Sequence, residues 1–108
     1  MSQFDDFIAA VKDEVANLSR EHLTEFVGEA IEDGESFLQD LGDDLPVWTD
    51  LLTKGELTLD EFEFLVKSRL DVTELTALKN AGLAKVRLEK FQNDVLGVIV
   101  KNAKRFFV

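Results

Sequence analysis

Apolar residues recur at intervals of three and four along this chain from one end to the other, and that spacing limits the fold more than any other feature. A helix returns a side chain to the same face about every 3.6 residues, whereas a strand does so every second residue. Phe4, Phe7, Ile8, Val11, Val15 and Leu18 keep the helical period, with Asp5, Asp6, Lys12, Asp13 and Glu14 mostly off that stripe. Leu23, Phe26, Val27, Ala30, Ile31, Gly34, Phe37, Leu38 and Leu41 form a second stripe. Alternating Val, Ile and Thr runs are missing and proline occurs once, so no stretch reads as a strand. The expectation is an all-α fold: one domain over residues 1–108, an antiparallel bundle of four to five helices with a long C-terminal helix. At 45% apolar content the chain can build a core, which excludes a disordered class.

Local signals suggest the boundaries. The stripe changes phase after Leu18, and Ser19 at the break reads as an N-cap for a second helix. Gly34 lies on the apolar face, where it permits close helix contact or else kinks the helix. Gly42 reads as a helix stop in positive φ, and Asp44 as a cap ahead of Pro46 in a first turn. Val47, Trp48, Leu51 and Leu52 give a short third helix ending at Lys54-Gly55. Thr58 and Glu61 spell the T-x-x-E capping box, opening a helix that turns Phe62, Leu65, Val66 and Leu70 inward.

From Asp71 to Phe107 the spacing predicts one long helix, with Asn80-Ala81-Gly82 as the place where it could split. Ala77, Ala81 and Ala84 lead into Leu88, Phe91, Val95, Val98 and Asn102 at alternating steps of three and four, an a/d seam. Leu96, Ile99, Val100, Ala103 and Phe107 cover a second face. A helix apolar on two faces must be covered on both, by a central place in the bundle or by a second copy. The expectation is a homo-oligomer through Ala84, Leu88, Phe91, Val95, Val98 and Asn102, with Asn102 setting register at some cost in stability.

Charge is unevenly distributed. Residues 1–63 carry 18 acidic and 3 basic side chains, a net of −15; residues 64–108 carry 4 and 9, a net of +5. The simplest reading is acidic helices beside a basic C-terminal helix. The functional alternative is an acidic face of Glu21, Glu25, Glu29, Glu32 and Asp33 that steers a basic protein partner, as in an adaptor, immunity protein or antitoxin. Phosphate-bearing nucleic acid is not expected as a partner, since its binding rests on cations.

Residues 53–64, TKGELTLDEFEF, look like the second half of a calcium loop. Counted back from Glu61, Asp50, Gly55 and Leu57 fit the pattern, but Leu52 and Lys54 stand where oxygens are required. A calcium ion needs about six to eight oxygen ligands, so the stretch reads as a turn between helices. With its surroundings, WTDLLTKGELTLDEFEFLVKSRL (residues 48–70) resembles the helical hairpin of the bacterial short C-terminal domain family. The resemblance covers under a quarter of the chain and implies a helix–turn–helix, with no activity attached.

Nothing points to catalysis. Cysteine is absent, and neither a nucleophile elbow nor a glycine-rich phosphate loop occurs. His22, the only histidine, stands among glutamates as a single i, i+3 pair with Glu25, whereas a ferritin-like centre needs such motifs on several helices. The expectation is a non-enzyme without cofactor or metal, the ferritin-like reading being a third alternative. The tail KNAKRFFV places Lys101, Lys104 and Arg105 beside Phe106 and Phe107; it reads as a helix C-terminus with cations on the dipole rather than a membrane-surface patch. No run is long enough to span a bilayer and no signal-peptide pattern opens the chain, which with the lack of cysteine suggests a cytoplasmic protein.

Overall fold

Six helical segments carry almost the whole chain in the computed structural model, which describes residues 2–108. They are α1 (Gln3–His22), α2 (Val27–Asp40), α3 (Asp44–Thr53), α4 (Leu59–Asp71), α5 (Thr76–Asn80) and α6 (Lys85–Phe107), with a 3-10 turn at Thr24–Phe26. Five have ten residues or more, α5 has five, and no strand occurs among the described residues. The radius of gyration, 13.6 Å, is close to the roughly 13 Å expected of a folded chain this long.

Antiparallel order follows from contacts between α1 and α6. Phe7 meets the Phe107 ring at 5.2 Å, Glu14 meets Lys101 at 3.0 Å, and the His22 carbonyl accepts from Arg87 at 3.3 Å. One helix therefore rises as the other descends. α6 packs on α1, α3 and α4; it buries Phe91, Val95, Leu96, Ile99, Asn102 and Ala103 and so is the spine of the bundle. Each large apolar side chain removed from water there contributes about 1.5–3 kcal/mol. Phe7, Phe37, Phe62, Leu41, Leu45 and Leu78 fill the remaining core.

The local signals were realised unevenly. Thr58 and Glu61 form the expected reciprocal cap, at 3.1 Å and 2.9 Å. Ser2 and Asp5 make another at the start of α1. Gly34 allows α1 and α2 to close up, since a Cβ there would lie 2.8 Å from Val15 Cγ1.

Four expectations are corrected. Ser19 is no cap: α1 runs through it, and its buried hydroxyl donates to the Val15 carbonyl at 2.8 Å. The phase change is absorbed later, by Leu23 and the 3-10 turn. Gly42 does not adopt positive φ, which occurs only at Gly55 (73°) and Gly82 (95°) among the described residues. Its need is for space, because a Cβ would stand 3.0 Å from the Gln39 carbonyl oxygen. Asp44 does not cap α3; its carboxylate pairs with Arg69 of α4. Finally, the C-terminal segment is two helices. Left-handed Gly82 and extended Ala84 stop α5 and restart the chain as α6, a path no continuous helix can follow.

Candidate protein-interaction surfaces

The proposed seam is drawn largely into the chain's own interior. Phe91 and Val95 are each 3% exposed and Asn102 is fully buried. Leu88 and Val98 are half-buried against the same core, and Ala84 is the exposed N-cap of α6. Neighbouring helices cover Phe91, Val95 and Asn102 of this seam, while Leu88, Val98 and Ala84 keep exposed surface. Asn102 sets a contact within the chain: its amide donates to Glu14 at 2.6 Å and to the Val98 carbonyl at 2.9 Å, while its Oδ1 has no partner among the described residues.

Glu14 is the centre of that polar cluster. Lys101 holds its other oxygen at 3.0 Å. Burial pushes its carboxyl upward, but hydrogen bonds from Lys101 and Asn102 and the charges of Lys101 and Arg105 outweigh this and hold it below the ordinary glutamate value. Asp44 with Arg69 is a second cross-helix pair. Part of the acidic half is thus neutralised from within the chain.

The residues of the acidic face divide. Glu21 is exposed at the end of α1, beside His22 at 3.9 Å. Glu25 and Glu32 are exposed and Glu29 is half-buried, spaced four and three apart along the outer side of the 3-10 turn and α2. None of these three lies within ion-pair distance of a cation among the described residues. Asp33 belongs elsewhere. Only 6% exposed, it accepts from the backbone N–H groups of Ala77 at 3.0 Å and Leu78 at 2.8 Å. α5 has no side-chain cap of its own, and Asp33 supplies one from 44 positions away.

The loop at 50–61 is a joint. Asp50 pairs with Lys54 at 2.8 Å, Leu52 is buried, and the Glu61 carboxylate is held by the Thr58 N–H. Among the described residues no three His, Cys, Asp or Glu side chains gather where they could hold a metal ion, and no helix is long and apolar enough to cross a membrane. At the C-terminus Phe106 and Phe107 pack edge-on to Phe7, and the Arg105 guanidinium lies 5.1 Å from the Phe106 ring centre.

One surface feature was missed in the sequence. Phe64, on α4, is 68% exposed although Phe62 beside it is fully buried. Its place off the Phe62, Val66 and Leu70 stripe was the available signal. No family model, curated protein or solved structure matches the chain.

Proposed function

We propose that this protein is a non-catalytic association module whose acidic surface receives a basic protein partner. The observation that carries the reading is the row of exposed Glu25, half-buried Glu29 and exposed Glu32, none of which pairs with a cation among the described residues. Glu29 and Glu32, three apart on α2, repel by a few tenths of a kcal/mol, and Glu25 adds a third negative charge from the preceding 3-10 turn. An approaching cationic surface relieves that repulsion, and the field of the row raises the rate of encounter. The acidic-receptor reading is preferred to self-association through α6 because Phe91, Val95 and Asn102 are already covered within the chain. A Val95→Glu change would therefore unfold the chain rather than separate subunits.

The test compares capture of protein partners from native lysate by the wild type and by a Glu25→Gln/Glu29→Gln/Glu32→Gln variant, at low and high salt. A basic protein retained by the wild type at low salt, released by salt and lost by the variant is the expected result. A wild type that captures no basic protein, or whose capture is unaffected by salt and by the triple change, removes the proposal.

A further inference from the structure

The outer side of α4 leaves an aromatic ring in water that the fold does not use. Phe64 stands with half-buried Leu57 and Leu65 around a shallow depression of about 360 Å³, and Asp60 and Glu61 complete its lining. Glu56 and Glu63, both exposed, flank these residues in sequence. Among the described residues no basic side chain lines the depression. Lys67, one turn beyond Phe64, is paired with Asp71 at 3.1 Å, and Lys54 with Asp50 at 2.8 Å. Glu61 is fixed in place by Thr58, whose N–H and hydroxyl favour its charged form.

An apolar centre in an anionic rim selects its occupant by two criteria. A purely cationic segment gains nothing from Leu57 and Leu65 and only a cation–π contact from Phe64; an uncharged apolar segment gains nothing from the rim. An acidic or phosphorylated segment is repelled. The depression between α5 and α6 differs, since its lining mixes Lys79 and Lys85 with Glu74 and Glu89 and so selects no sign. The chemistry that uses every part of the α4 surface is an amphipathic helix with an apolar ridge flanked by lysine or arginine, whose cations can also lie over the Phe64 ring.

We propose that this depression docks a basic amphipathic helical segment of a partner protein, with Phe64 as the apolar anchor and Asp60 and Glu61 as the charge-reading rim. The inference rests on the acidic-receptor reading only for the sign of the partner's charge; the surface is a different one.

The experiment follows backbone amide shifts of the labelled protein during titration with a synthetic leucine–lysine amphipathic peptide, and separately with hexalysine. The leucine–lysine peptide should move amides of residues 57–65, with hexalysine at least about tenfold weaker there. Phe64→Ala should weaken the peptide by about tenfold without changing the melting temperature, because the ring lies outside the core. Equal binding of hexalysine at residues 57–65 would refute the apolar anchor. Shifts confined to residues 25–32, with Phe64→Ala binding normally, would remove this site and leave the acidic-receptor reading standing. Shifts at neither surface would remove this site, and the acidic-receptor reading would then be decided by the lysate capture alone. Concentration-dependent shifts at 57–65 without peptide would identify a second copy as the occupant and overturn the proposal.

Discussion

Asp33→Ala should detach α5 and cost the protein a large part of its stability. The carboxylate is buried and accepts from two backbone N–H groups, at 3.0 Å and 2.8 Å. Hydrogen bonds to a charged acceptor contribute about 1.5–3 kcal/mol each, and no solvent screens this pair of bonds at 6% exposure. Alanine returns about 0.5 kcal/mol through its better helix propensity within α2. Five residues of helix cannot hold themselves together in water, so without the cap α5 can peel away, which limits the loss. A net cost of about 3 kcal/mol results, equivalent to a fall of roughly 10–20 °C in melting temperature for a domain of this size. Asp33→Asn keeps one neutral acceptor and should lose about half as much. Urea unfolding gives the total, and amide exchange at Ala77 and Leu78 shows where it arises: both should lose protection before the α1 and α6 amides. An Asp33→Ala protein within about 0.5 kcal/mol of the wild type, with Ala77 and Leu78 still protected, would show that the carboxylate is not what holds α5.

Two further substitutions test the packing and the polar cluster. Gly34→Ala should destabilise by about 1 kcal/mol: the new Cβ meets Val15 Cγ1 at 2.8 Å, a stiff β-branched side chain, and overpacking of about 1–3 kcal/mol outweighs the roughly 1 kcal/mol gained in helix propensity. An unchanged or raised urea midpoint would refute the close approach of α1 and α2. Lys101→Met should lower stability at neutral pH by under about 1 kcal/mol, since Lys101 remains mostly exposed. Because the Glu14 carboxyl is held below its ordinary value of 4.5, its contribution is fully present above that pH and is lost as pH falls through the folded value. The gap between wild type and Lys101→Met should therefore close on acidification below about pH 4.5; a gap that widens contradicts the assignment.

Features that act over one or two turns could be read from the sequence. The stripes of α1 and α2, the Thr58–Glu61 box, the stop at Gly55 and the inward Phe62, Val66 and Leu70 all depend on neighbours three or four residues away, whereas Leu65, expected inward with them, stays only half-buried beside Phe64. Even locally, Ser19 looked like a cap because a serine at a phase break serves equally well as a buried residue bonded to the carbonyl four back. The continuous C-terminal helix failed for a related reason: periodicity carries across Gly82, but the backbone does not.

The sequence by itself determined that the chain is helical, where its apolar faces lie, and that its charge divides into an acidic and a basic half, because propensity, period and composition are properties of short stretches. Only the tertiary structure decided which of those faces are covered. It turned the α6 seam inward, sent Asp33 across to α5, paired Glu14 with Lys101 and Asn102, and left Phe64 in water. Those outcomes depend on which helices meet, a choice made by packing between residues tens of positions apart, and no local pattern in the chain encodes it.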